Sequence, residues 1–170
     1  MTKGALYRHY QNKRDIFLHI VKRMEQGDTQ QAESYDMPEG TISDMPEKYR
    51  KASLEDFKNY SYALFLYWTE DDFASAFRRM LTIEQFRSDE MQGLYQQYLV
   101  SGPVGYVKDL FESIGIDKAE KKAVQFYANM FFFYSLYDGA VDKDAVKQQF
   151  KQAMIEIVKE LRIEEEKENG

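Results

Sequence analysis

Apolar side chains recur at helical spacing in nearly every segment of this chain, and that pattern limits its fold more than any other feature. Between residues 54 and 68, for example, each of Leu54, Phe57, Ser61, Leu64, Phe65 and Trp68 has another of the set three or four positions away. This spacing places side chains on one face of an α-helix, whereas a half-buried strand needs strict alternation. No segment alternates convincingly, so the sequence predicts an all-α fold.

The helices can be placed from their breaks. A helix is predicted from Asn12 to near Glu33, and Asn12 with Asp15 three residues later resembles a capping box at its start. A loop is predicted over residues 34–46, which contain two prolines and a glycine. Four or five helices follow up to Gly115, with a kink or break at Gly102-Pro103, because proline lacks a backbone donor and crowds the preceding turn. Two longer helices are predicted at about 117–138 and 142–163. The first is apolar nearly all round in its second half, so it must be covered on several sides.

Composition excludes several classes of protein. The chain has 170 residues, of which 44% are hydrophobic and none is cysteine. Disulfides are therefore excluded, and a reducing, cytoplasmic location is expected. No apolar run approaches the roughly 18–20 residues of a membrane span, so no membrane association is predicted. Charges interrupt the N-terminal residues throughout, which argues against a secretion signal.

The charge is unevenly distributed. Residues 1–24 contain six basic residues and one acidic residue, a net charge of +5, so the remainder carries −11 of the total −6. A basic head on an acidic body is expected where one end of a protein contacts nucleic acid and the rest does not. A short helix can also be basic by chance, and charge alone does not separate the two readings.

No catalytic or metal site is indicated. The two histidines, His9 and His19, lie on different predicted helices, and without cysteine they form no obvious zinc ligand set. No glycine-rich phosphate loop is present. The acidic cluster Glu70-Asp71-Asp72 is better explained as the cap of the helix beginning at Phe73. We therefore expect no enzymatic activity, no metal and no cofactor.

The first seventeen residues carry the most specific motif. Thr2 can cap a short helix whose inner face holds Leu6 and Tyr10, so that Lys3 and Tyr7 point outward. Such a helix, braced by a longer one, suits insertion into the major groove of DNA. The run Thr-Lys-Gly-Ala-Leu-Tyr-Arg-His-Tyr, followed after one residue by Asn-Lys-Arg-Asp-Ile-Phe, resembles the recognition helix and linker helix of the TetR family of transcription regulators.

This resemblance covers about the first tenth of the chain and implies contacts with double-stranded operator DNA, provided that the N-terminus is complete in the native protein. Thr2, Tyr7 and Lys13 would contact phosphates, which position the protein without reading sequence. Lys3 is the best candidate for a base edge, since lysine donates well to guanine. Arg8 and His9 are weaker candidates for the same role.

The sequence departs from the family pattern at its start. Members have two helices before this motif, whereas here only Met1 precedes Thr2. Two explanations are open: Met1 is an internal methionine mistaken for a start, which we favour, or the chain is a natural or engineered short form. The predicted domains are a partial DNA-binding head at residues 1–25 and a helical ligand-binding and dimerisation domain at 26–170.

The resemblance also implies a ligand cavity and a homodimer. In this family the helices that carry these aromatic residues surround a ligand cavity, and the last two helices pair with those of a second chain. The aromatic residues favour a hydrophobic small-molecule effector. Rings with hydroxyl or N–H tips suit such a pocket. The candidate lining residues are Tyr60, Phe65, Trp68, Phe77, Met80, Tyr98, Phe131 and Tyr134. For most of the aromatic residues, ordinary core packing remains the simpler explanation.

The expected function is therefore that of a ligand-responsive regulator, most simply a repressor, that binds its operator as a dimer. Two alternatives remain. A short form could dimerise and bind ligand without binding DNA itself, or the chain could carry hydrophobic ligands and have no part in transcription.

Overall fold

The structure, a computed structural model, describes residues 11–168, with side chains described as far as Arg162. Within this range the chain forms eight α-helices and no strand, which confirms the all-α prediction. The helices are α1 (Lys13–Ser34), α2 (Pro46–Lys51), α3 (Leu54–Glu70), α4 (Asp72–Glu84), α5 (Asp89–Leu99), α6 (Ser101–Ser113), α7 (Ala119–Gly139) and α8 (Lys143–Glu168).

Helix α1 begins at a side-chain cap. The Asn12 side chain accepts a hydrogen bond of 2.9 Å from the Asp15 backbone N–H, as predicted. The Asp15 carboxylate accepts from the backbone N–H of Gln11 rather than from that of Asn12, so the predicted reciprocal capping box is not formed. The helix runs without a break through residue 25, where the two predicted domains were divided.

Helix α3 lies at the centre of the fold and contacts α1, α4, α7 and α8. A capping box of Ser53 and Asp56 fixes its start. One face packs against α8 through Phe65 and Phe150, whose ring centroids are 4.1 Å apart. Another packs on α7 through Phe57 and Phe126, 4.6 Å apart. Stacked and edge-on rings of this kind stabilise the core beyond the burial of their area.

The predicted break at Gly102-Pro103 separates α5 from α6. Helix α5 ends at Leu99 and α6 begins at Ser101, so Pro103 lies in the first turn of α6, where a missing donor costs nothing. A Cβ at Gly102 would collide with the backbone carbonyl oxygen of Gln97. The absence of a side chain at Gly102 therefore lets the start of α6 lie close to the last turns of α5.

A partly buried ion pair ties three helices together. Arg78 of α4 forms two hydrogen bonds with the Asp138 carboxylate on α7, of 2.7 and 2.9 Å, and its Nε donates to the Trp68 carbonyl of α3. Asp71 caps α4 by accepting from the backbone N–H groups of Phe73 and Ala74. This confirms that the acidic cluster at residues 70–72 caps a helix.

Candidate functional site

A cavity of about 630 Å³ lies between α1, α3, the α5–α6 junction and α7, beside the loop that joins α1 to α2. This volume is in the range of pockets that hold small organic molecules. Its lining residues are Glu25, Asp28, Thr29, Ala32, Pro38, Glu39, Gly40, Thr41, Asp44, Phe57, Tyr60, Ser61, Leu64, Trp68, Gln97, Tyr98, Gly102, Pro103, Tyr106, Val107, Phe126, Tyr127, Met130 and Tyr134.

Helical periodicity explains which residues of α3 and α7 face the cavity. Tyr60, Leu64 and Trp68 follow one another at four-residue spacing on α3, and Phe126, Met130 and Tyr134 do the same on α7. Residues four apart share a helix face, so each helix turns one stripe towards the cavity. The rings also pack on one another. The centroids of Trp68 and Tyr98 are 6.3 Å apart, and Phe77 supports Tyr98 from behind at 5.1 Å.

The tyrosine hydroxyls of the cavity differ in their bonding. The Tyr127 hydroxyl donates to the Leu99 carbonyl oxygen at 3.0 Å and is thereby fixed. The hydroxyls of Tyr98 and Tyr106 are buried and have no hydrogen-bond partner among the described residues. Burial raises the pKa of both phenols above the ordinary value, so they stay protonated at neutral pH and can donate to a ligand.

Asp28 brings a carboxyl group into this aromatic wall from α1. It lies one turn after Met24 and one turn before Ala32, both of which are buried. Its Oδ1 atom is buried and has no hydrogen-bond partner in the described part of the chain. Burial, and then the nearby charge of Glu25, raise the pKa of Asp28 to about 7. A buried carboxyl without a partner is costly, and in native proteins such groups call for a specific explanation.

The charged groups of the cavity are all acidic. Glu25, Asp28, Glu39 and Asp44 contribute to the lining, whereas no lysine or arginine does so within residues 11–162. Glu39 lies 4.0 Å from Lys48, which offsets part of its charge from outside the cavity. The site therefore presents aromatic faces, unbonded hydroxyls and negative charge.

Four of the eight predicted pocket residues line this cavity, namely Tyr60, Trp68, Tyr98 and Tyr134. The other four lie elsewhere, because residues on one helix can face different neighbours or solvent. Phe65 is turned towards α8, and Phe77 lies behind Tyr98. Met80 is partly buried and packs against the core, and Phe131 is exposed on α7.

Only one of the predicted DNA-contacting residues lies in the described part of the chain. Thr2, Lys3, Tyr7, Arg8 and His9 lie outside the described residues. Lys13 is described, and it is exposed in the first turn of α1. Its predicted contact with phosphate stays a prediction.

Sequence reasoning missed Asp28, Tyr106 and the loop residues at 38–44. Asp28 could have been found, because it continues the face of Ile20, Val21 and Met24 at four-residue spacing, and an acid on an apolar face is unusual. The loop gave no such signal. The loop is held by residues outside it: the Tyr49 hydroxyl, for example, donates a hydrogen bond of 2.9 Å to the Gly40 carbonyl oxygen.

A second feature is an exposed apolar face on α7. Its residues are Val124, Phe131, Phe132 and Leu136, and Ile155 of α8 is exposed as well. Phe132 is 59% exposed, although it sits in the middle of the most apolar helix. Contiguous exposed apolar surface of this kind commonly marks an interaction site.

Other kinds of site are not seen in the described part of the chain. No group of three or more metal-ligating side chains is found among residues whose side chains are described. Among the described helices, none is long and apolar enough to cross a membrane. Comparison with protein-family models, with curated proteins and with solved structures finds no match for this chain.

Proposed function

We propose that this protein is a ligand-responsive, DNA-binding transcription regulator resembling the TetR family, which binds operator DNA as a homodimer and releases it when a hydrophobic small molecule binds. One observation carries the proposal. Helix α1 directly follows the basic motif at residues 2–11, and the same helix lines the cavity through Asp28, Thr29 and Ala32. A ligand in the cavity would therefore touch the helix that bears the DNA-contacting segment.

The contacts of α1 support a role in transmitting ligand binding. Near its start Arg14 pairs with Glu90 of α5 at 3.0 Å, and this pair is solvent-exposed and therefore weak. Further along, the Arg23 guanidinium lies 4.0 Å from the Phe73 ring centroid. The first turns of α1, which precede the buried Met24, are held by such contacts and can take more than one position at small cost. A ligand that binds better to one position shifts the population towards it.

The exposed face of α7 supports the homodimer. Pairing of Phe132 and its neighbours with a second copy would remove apolar surface from water, which is the main driving force of association. A two-fold dimer places two recognition helices at symmetric positions. Binding to successive major grooves requires a separation of roughly 34–36 Å, one turn of duplex. A ligand that changes this separation would release the DNA.

A selection experiment tests DNA binding. The protein with its native N-terminus is mixed with a random pool of double-stranded oligonucleotides, and bound sequences are recovered and read over several rounds. We expect an enriched inverted repeat, because a two-fold dimer reads two equivalent half-sites. Lys3→Ala should relax the preference at one position of each half-site, whereas Lys13→Ala should weaken binding to all sequences alike. Lys159→Ala on α8 is the matched control and should change neither.

A second candidate function is a dimerising, ligand-binding protein with no DNA binding of its own. It is favoured by one observation: the cavity and the exposed α7 face both lie within residues 25–155 and need nothing from the basic motif. Absence of any enriched sequence, with ligand binding and dimerisation intact, would contradict the regulator and support this alternative.

A further inference from the structure

The cavity combines two features that together specify a ligand charge. Eight aromatic residues line its walls, and its charged lining residues are acidic without exception in the described part of the chain. The face of an aromatic ring carries partial negative charge and attracts a cation, and carboxylates do so more strongly. An anion would meet repulsion from both.

The innermost acid is Asp28. Glu39 and Asp44 belong to the exposed loop, where Asp44 accepts a hydrogen bond of 2.7 Å from the Thr41 hydroxyl. Glu25 is also exposed, whereas Asp28 has its Oδ1 buried and unbonded. No counter-charge for Asp28 lies in the cavity wall, so a bound cation would supply the missing partner.

We propose that the cavity selects a lipophilic cation, an aromatic or bulky apolar molecule with a single positive charge, which lies against Asp28 and between the rings of Tyr60, Trp68, Tyr98 and Tyr106. This inference names the ligand class of the proposed function above and rests on that function only for the cavity being a ligand site. The apolar body of the ligand replaces water along the walls. The unbonded hydroxyls of Tyr98 and Tyr106 orient any acceptor that it carries.

The affinity for a permanent cation depends on pH. The groups that face Asp28 are Glu25 on its own helix, Glu39 and Asp44 on the loop, and phenols from α3, α5, α6 and α7. The pKa of each phenol that lines the cavity is raised by burial, so these groups do not titrate near neutrality. The pKa of Asp28 is about 7, so its charge develops between about pH 6 and pH 8 and cation binding tightens over that window.

Calorimetric titration with matched probes tests the inference. Tetraphenylphosphonium and tetraphenylborate have nearly the same size and shape and opposite charge, and N-phenyl-1-naphthylamine is a neutral aromatic probe. We expect the cation to bind the full chain at least about tenfold more tightly than the anion at pH near 8. Its affinity should fall by roughly tenfold or more at pH near 5.5, where Asp28 is protonated.

Two variants separate the role of Asp28 from a general charge effect. Asp28→Asn should lower the affinity for the cation by about tenfold or more and abolish its pH dependence, leaving the neutral probe bound as before. Glu160→Gln, the matching exchange at an exposed acid of α8 outside the cavity, should change the cation affinity by less than about threefold. Circular dichroism establishes that both variants are folded.

The outcomes are distinct. Equal binding of cation and anion, or an Asp28→Asn variant that binds the cation as the parent does, overturns the inference while binding of the neutral probe leaves the proposed ligand site intact. If none of the three probes binds, both the inference and the ligand-binding part of the proposed function are overturned.

Discussion

The burial of Asp28 lowers the stability of the folded protein by an amount that depends on pH. Its pKa of about 7 in the folded chain lies above the ordinary value of 3.8, because burial disfavours the charged form. A group with a raised folded pKa binds its proton more tightly in the native state than in the unfolded state. Native stability is therefore lost as pH rises from about 4 to about 7 and is not regained above that.

Asp28→Asn should therefore stabilise the protein, and more so at higher pH. The amide carries no charge to desolvate, so we expect a gain of about 2–4 kcal/mol at pH near 8 and a much smaller one at pH near 4. Urea unfolding at the two pH values measures the difference. A gain that is the same at both values, or a loss of stability at pH near 8, would show that Asp28 is not desolvated as described.

Arg78 is a second residue whose burial decides its contribution to stability. Its side chain is only 6% exposed, and besides pairing with the more exposed Asp138 it donates to the buried Trp68 carbonyl. Arg78→Met leaves that carbonyl without its donor and removes the two hydrogen bonds to Asp138, so we expect a loss of about 1–3 kcal/mol. Arg79→Met is the control: Arg79 lies 4.0 Å from the same carboxylate but is 54% exposed, and its loss should cost less than about 0.5 kcal/mol.

Thermal or urea unfolding of both arginine variants checks this expectation. Similar losses of stability for Arg78→Met and Arg79→Met would mean that the burial of Arg78 does not determine how much its side chain stabilises the fold.

At the scale of the helices, the sequence predicted most of what the structure has. Spacing of apolar residues, the caps at Asn12 and Asp71 and the break near Pro103 are local signals, and each acts within one or two turns. The ends of α1 and α7 could therefore be predicted to within one or two residues. Which buried face of a helix lines the cavity could not, since Phe65 and Tyr60 obey the same periodicity and differ only in the helix that packs against them.

The α5–α6 junction gives a prediction at this scale. Gly102→Ala places a methyl group against the Gln97 carbonyl oxygen, which is backbone and cannot move aside cheaply, so we expect a loss of about 1–3 kcal/mol. Gly105→Ala, one turn further along α6, meets nothing within 4 Å and should stabilise by about 0.5–1 kcal/mol, because alanine favours a helix interior. Opposite signs in urea unfolding are the expected result, and equal signs would contradict the described junction.

At the scale of the whole molecule, the exposed face of α7 predicts self-association. Phe132→Glu puts a charge in the middle of that face, and burying it in an interface would be costly. We therefore expect sedimentation velocity to show a dimer for the parent chain and a monomer for the variant. Leu18→Glu, which changes an apolar residue of similar exposure on α1, should leave the dimer unchanged. A Phe132→Glu variant that still sediments as a dimer would show that this face is not the dimer interface.

The central claim is that the aromatic, acidic cavity beside α1 is the ligand site, and a crystal structure of the chain soaked with tetraphenylphosphonium tests it most directly. We expect density for the cation inside the cavity, on the side of Asp28. Its phosphorus should lie within about 6 Å of the Trp68 or Tyr98 ring centroid. A cavity filled only by water or by rearranged side chains, in crystals where the cation binds elsewhere on the surface, would contradict it.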